Sequence, residues 1–125
     1  MPTKLYALDT SFIINFLRGN ERAREVYEEI KGGKLVVPAP VLMESLRGAD
    51  DIGEFQRLET LEFGKAEAGE ATDLISYLEE KGEMIGILDI MIAATASTTD
   101  AKIVTYDQDF QKLDEKLDII TADQE

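Results

Sequence analysis

Cysteine and histidine are both missing from this chain. Without cysteine there are no disulfides, thiolate metal sites or thiol nucleophiles, and without histidine there is no imidazole base. Any chemistry must rest mainly on carboxylates, hydroxyls and Lys or Arg. Long apolar runs are missing too, since no segment approaches a membrane span. The stretch Met1 to Leu8 enters a strand pattern without the charged, apolar, small-residue layout of a signal peptide, so the expectation is a cytoplasmic protein with no membrane partner. No GxxxxGK[ST] occurs and no GxGxxG follows a strand, which leaves P-loop and dinucleotide readings without support. Basic residues are scarce: 13 Lys and Arg stand against 26 Asp and Glu, a net charge of −13. Phosphate binding normally leaves the opposite footprint. Two readings absorb the excess. Most acids form a solvated surface, as in Glu21 to Glu29 and Glu79 to Glu83, while a few are neutralised in a metal site.

What is present points to an α/β fold. At 125 residues with 44% hydrophobic content, residues 1–125 read as one domain able to bury a core without staples. Strand patterns alternate with helix patterns, which argues for a parallel sheet covered on both faces. Lys4 to Leu8 reads as the first strand, and Asp9-Thr10-Ser11 offers caps for an apolar helix through Phe12, Ile13, Phe16 and Leu17, ended by Gly19-Asn20. A charged amphipathic helix spans Asn20 to Ile30 and closes at Gly32-Gly33. Leu35 to Val37 is a short buried strand, and Pro40 launches a helix through Val41 to Leu46. Ile52 to Leu58 reads as helix, Thr60 to Phe63 as a weak strand and Ala66 to Leu78 as a long helix. Asp89 precedes a helix, Ile90 to Ala96, apolar or small nearly all round and so suited to lie against the sheet. The last strands are Ile103 to Thr105 and the edge pair Ile119-Ile120.

Four acids, Asp9, Glu44, Asp89 and Asp107, each fall where an apolar stretch meets a polar turn or within a turn of a helix start. In a parallel α/β sheet those places converge. Carboxylates gathered there cannot all stay ionised without a counter-charge, and oxygen ligands of this kind suit Mg²⁺ or Mn²⁺. Each acid also has a plainer reading. Taken alone, Asp9, Asp89 and Asp107 are better read as helix N-caps. Glu44 lies in an otherwise apolar helix, where it either faces solvent or needs a partner. Asp109 reads equally as a turn residue or as a further ligand. Thr10, Ser11 and Thr105 are either caps and strand-end hydroxyls or groups that position a water.

The joint pattern resembles the PIN-domain family, and within it the short VapC-type ribonuclease toxins. The resemblance covers nearly the whole chain. It rests on Leu8-Asp9-Thr10-Ser11 before an apolar helix, Val37-Pro38-Ala39-Pro40-Val41 leading to Glu44, Leu88-Asp89 before Ile92-Ala93-Ala94, and Val104 to Phe110. Thr60 to Phe63 is a poor version of the family's middle strand, and the acidic balance is unusual for a nuclease. The resemblance implies a three-layer α/β/α domain with a central, mainly parallel sheet of four to five strands. It implies that Asp9, Glu44 and Asp89 hold a metal ion directly or through water, with Asp107 as fourth acid and Asp109 sharing or replacing that role. It implies hydrolysis of RNA by one or two Mg²⁺ or Mn²⁺ ions that activate a water and stabilise the leaving oxygen, giving 5′-phosphate and 3′-hydroxyl ends. Its partners would be an RNA substrate, a second copy in a homodimer, and a small VapB-type antitoxin. A basic antitoxin segment entering the acids is electrostatically favoured. Met84 to Leu88 and the first helical region are contact surfaces for it unless they are ordinary core.

Arg18, Arg22, Arg24, Arg47 and Lys65 are the cations open to the RNA backbone, or else ordinary solvated charges. Other classes fit less well. A phosphoacceptor receiver domain requires adjacent acids after the first strand and a Lys after the last, but Asp9 is followed by Thr10-Ser11. A catalytically silent PIN-fold binding module would not need the full set of acids. Acid-pair glycoside hydrolysis would leave two of the four unexplained.

Overall fold

The computed structural model describes residues 3–122. Short apolar runs lie in the strands: β1 (Leu5–Leu8), β2 (Lys34–Pro38), β3 (Thr60–Leu61), β4 (Lys102–Thr105) and β5 (Ile119–Thr121). They make one sheet in the order β3-β2-β1-β4-β5, and every pairing is parallel. The helices are α1 (Thr10–Leu17), α2 (Glu21–Ile30), α3 (Ala39–Leu46), α4 (Lys65–Lys81) and α5 (Ile87–Thr99). The expected three-layer architecture is therefore present, with five strands.

Topology places the site. From β1 the chain steps outward through β2 to β3, then returns across the sheet to β4 and steps outward again to β5. Crossovers running in opposite directions put their helices on opposite faces if each is right-handed. On that basis α1 and α2 cover one face and α4 and α5 the other. The reversal lies between β1 and β4, whose carboxyl ends open into a crevice, the usual ligand position in such sheets. The order also differs from the 2-1-3-4-5 order of receiver domains.

The core explains why α1 and α5 lie close to the sheet. Phe12 and Ile13 of α1 are fully buried, as are Ile90, Ala93, Ala94 and Ala96 of α5. The small residues of α5 let its backbone approach β2 and β4, both of which it contacts. A close contact of a different kind sits at Gly33, where an added Cβ would lie 2.5 Å from the Tyr6 ring and 2.8 Å from the Lys4 carbonyl.

Two expectations need correction. Ile52 to Leu58 forms no α-helix, only a 3-10 turn over Gly53–Arg57. Gly53 adopts φ +56, and Ile52 is anchored through its N–H to the buried Ser45 hydroxyl at 3.3 Å, so the segment opens in a left-handed conformation that an α-helix cannot accommodate. The second concerns α5, which begins at Ile87 with Gly86 in the capping position. Asp89 therefore lies in the first turn and not ahead of the helix. A carboxylate there is still favoured by the exposed N–H groups and dipole of the helix start.

Candidate metal centre

Asp9 follows β1 directly. Its N–H donates to the Val104 carbonyl (3.0 Å), and its own carbonyl accepts from Phe12 and Ile13 to open α1. It occupies the capping position, yet its side chain makes no capping hydrogen bond. The carboxylate is buried, at 6% exposure, and its Oδ2 accepts from the Ser11 and Thr105 hydroxyls, each at 2.7 Å. Each hydroxyl has one proton, spent on Asp9, so the 3.1 Å approach of Ser11 Oγ to Thr105 Oγ1 carries no hydrogen bond of its own. Each also accepts one backbone N–H: Ser11 from Tyr106 and Thr105 from Asp107, both at 2.9 Å. Two parallel relays thus run from the backbone after β4, through a hydroxyl, to one oxygen of Asp9. Thr105 ends β4 and Ser11 lies in the first turn of α1, and the groups their hydroxyls hold are Asp9 and the loop after β4.

That loop carries Asp107 and Asp109. Asp107 caps the 3-10 turn Gln108–Leu113, with its Oδ1 accepting from the Asp109 N–H at 2.9 Å, so the plainer reading of this acid as a cap is correct for one of its oxygens. Asp89, Asp107 and Asp109 each offer a carboxylate oxygen within 4.8 Å of the others. Asp109 is half exposed and pairs with Lys112 at 3.5 Å.

Glu44 approaches from the other side. With Asp9 and Asp89 it lines a cavity of about 400 Å³, to which Asp50 also contributes. Its partner is Arg47, one turn on, at 3.1 Å, which answers the requirement for a counter-charge. The acids therefore form two overlapping groups that share Asp89: Asp89, Asp107 and Asp109 on one side, Asp9, Glu44 and Asp89 on the other. Asp50 escaped the sequence reading because it sits in a polar turn with no apolar pattern beside it. Its N–H reaches back to the Glu44 carbonyl at 3.4 Å, which brings the turn to the cavity.

The electrostatics follow from burial and crowding. Burial pushes the Asp9 carboxyl up, against the lowering effect of its hydroxyl donors and with a further rise from Asp107. Asp89 is pushed up to about 6, first by burial and then by the charges of Asp9, Asp107 and Asp109. Among the described residues no Lys or Arg forms an ion pair with Asp9, Asp89 or Asp107. Mutually close oxygens, negative charge without an organic counter-ion and the absence of sulfur and imidazole donors fit a hard divalent cation such as Mg²⁺ or Mn²⁺.

Residues 6–116 match the model of the PIN domain, and the chain belongs to that family. Solved structures repeat the fold. VapBC2 from Rickettsia felis, bound to a DNA fragment from its promoter, is 22% identical with a TM-score of 0.76, over 93% of this chain and 97% of that one. FitAcB from Neisseria gonorrhoeae is 22% identical with a TM-score of 0.73, over 94% and 97%. VapC20 of Mycobacterium tuberculosis, a Sarcin-Ricin loop cleaving toxin, is 14% identical with a TM-score of 0.59, over 85% and 92%. No curated protein matches the chain by sequence.

Proposed function

We propose that this protein is a divalent-metal-dependent endoribonuclease, the VapC-type toxin of a toxin–antitoxin pair, cutting RNA to 5′-phosphate and 3′-hydroxyl ends. The observation that carries the proposal is the gathering of Asp9, Asp89 and Asp107 at the β1/β4 crevice with no basic side chain paired to them. Bound there, the ion supplies Lewis-acid stabilisation of phosphate charge and a more acidic water. The residues of the chain do the rest. Ser11 and Thr105 fix the Oδ2 oxygen of Asp9. Asp89, whose carboxyl is pushed up to about 6 by burial and by the neighbouring acids, would hold the ion in its ionised form. Asp107 keeps one oxygen on its own turn and offers the other, while Asp109 and Glu44, each held by a cation of its own, complete the donor set from the rim.

Metal loading also answers the charge objection, because the acids repel RNA until they are neutralised. An antitoxin of the VapB type is supported by the solved complexes that share the fold, several of which are VapBC pairs. Two apolar regions suit such a partner or a second copy. Phe16, Leu17, Tyr27, Leu35, Phe55 and Leu58 line an open groove of about 370 Å³. Met84 and Ile87 are exposed, whereas Ile85 between them is core. The test is incubation of purified protein with a pool of single-stranded and structured RNA, with Mg²⁺, Mn²⁺ or EDTA, beside Asp9→Asn. Metal-dependent cuts bearing 5′-phosphates and lost in the variant support the reading. Absence of cleavage from antitoxin-free protein under every metal would leave a PIN-fold binding module.

A further inference from the structure

Among the described residues, Arg18 is the one cation that lines the acidic cavity. The other basic residues open to RNA are placed elsewhere or already engaged. Arg22 donates to the Ala122 carbonyl at 3.2 Å and pairs with Glu25 at 3.4 Å. Arg24 lies over the Phe16 ring, 5.0 Å from its centroid. Arg47 is held by Glu44, and Lys65 opens α4. Arg18 caps the carboxyl end of α1, the helix that Asp9 opens, and shares the cavity with Asp9, Glu44, Asp50 and Asp89. Among the described residues it forms no ion pair with any of these four carboxylates.

A guanidinium that lines the same cavity as four acids and forms no ion pair with them is available to another anion once those acids are neutralised. Asp9 and Arg18 sit at opposite ends of α1, separated by about 14 Å of helix rise. We infer that Arg18 is a positioning residue for the RNA backbone: it takes, with its planar fork, a phosphate neighbouring the one brought to the carboxylates. The inference rests on the nuclease reading and adds to it the group that sets the strand's path across the site. It also accounts for how so acidic a chain engages a polyanion at all, with one cation placed in the cavity instead of a basic surface.

A purely structural role is the alternative, because a cation at a helix carboxyl end also offsets the dipole. The two roles separate experimentally. The measurement is KM and kcat for a fluorogenic single-stranded RNA over a range of salt, with melting curves, for wild type, Arg18→Ala, Arg18→Lys and Arg57→Ala. Arg57 pairs with Glu54 at 3.3 Å and does not line the cavity, so it serves as the charge control. Arg18→Ala should raise KM about 10-fold or more with little change in kcat. It should also reduce the slope of log kcat/KM against log salt by about 0.7. Arg18→Lys should restore part of the loss, and Arg57→Ala should match wild type. An unchanged KM in Arg18→Ala, whatever happens to its melting point, overturns the inference while cleavage by wild type leaves the nuclease reading standing. Wild type that neither cuts nor retains RNA in the presence of metal overturns both.

Discussion

Replacing Thr105 with valine keeps nearly the same shape and removes one hydroxyl, and the structure says what that hydroxyl does. Thr105 is fully buried, donates to Asp9 Oδ2 at 2.7 Å and accepts from the Asp107 N–H at 2.9 Å. The first bond goes to a buried carboxylate and is worth about 1.5–3 kcal/mol, and the second leaves a partly buried amide without its acceptor at about 1 kcal/mol more. A total of about 3 kcal/mol corresponds to a fall in Tm of about 10 °C for a chain of this size. Thr105→Ser retains both hydrogen bonds and loses only a methyl group, so it should cost about 1 kcal/mol. Urea unfolding of both variants, with Mn²⁺ titration by calorimetry, is the assay. Thr105→Val should also weaken Mn²⁺ binding, since it releases Asp9 and the Asp107 loop together. A Thr105→Val protein within about 0.5 kcal/mol of wild type, or a serine variant as damaged as the valine one, would refute the relay.

Asp89 gives a pH prediction whose sign is fixed by its direction of shift. Its pKa rises from the ordinary 3.8 to about 6 on folding, so its contribution to stability is full below pH 3.8 and is lost as pH rises through 6. Without metal, the decline in Tm between pH 4 and 6.5 should be shallower in Asp89→Asn than in wild type. With metal the dependence reverses, because the cation takes the ionised form: Mn²⁺ affinity should climb through pH 6 in wild type and flatten in the variant. Calorimetric Tm and binding series over that range check both statements. Elsewhere in the fold, Gly33→Ala should destabilise by about 1–3 kcal/mol in urea unfolding, because the new methyl meets the buried Tyr6 ring and the Lys4 carbonyl, which already accepts from Lys34.

The parts legible in the sequence were those with a strong local signal. The short apolar runs of β1, β2 and β4, the Gly19-Asn20 break and the all-round apolar α5 were each readable from neighbours in the chain, and parallel pairing of β1 with β2 and β4 followed from the alternation. Even the weak β3 reading matches a real two-residue strand, which pairs Thr60 with Val37 and Leu61 with Pro38. What was illegible depends on contacts between distant residues. Nothing near Thr105 announces a bond to Asp9, 96 positions away, and nothing near Asp50 announces a cavity. Nor does anything near Ser45 announce the contacts it makes after α3. In the structure it accepts from both Ile52 and Gln56, which ties the segment after α3 into its 3-10 turn. The start of α5 is read three residues late because aspartate is a common cap, while Gly86, the actual cap, carries no side chain to advertise it.

The candidate acids were readable as types and order, but which of them lie close together was not. Proximity in space separates the close set, Asp89 with Asp107 and Asp109, from Glu44, whose carboxylate is shared with Arg47. That distinction bears on the central claim, that these acids form one divalent-metal centre. The most direct measurement is anomalous scattering from crystals of the full chain grown with Mn²⁺. The account predicts a peak coordinated by Asp89 and Asp107 and adjacent to the Asp9 carboxylate. No peak at these residues in crystals with fully ordered side chains, or manganese only at the opposite end of the sheet near Asp114 and Asp118, would contradict it.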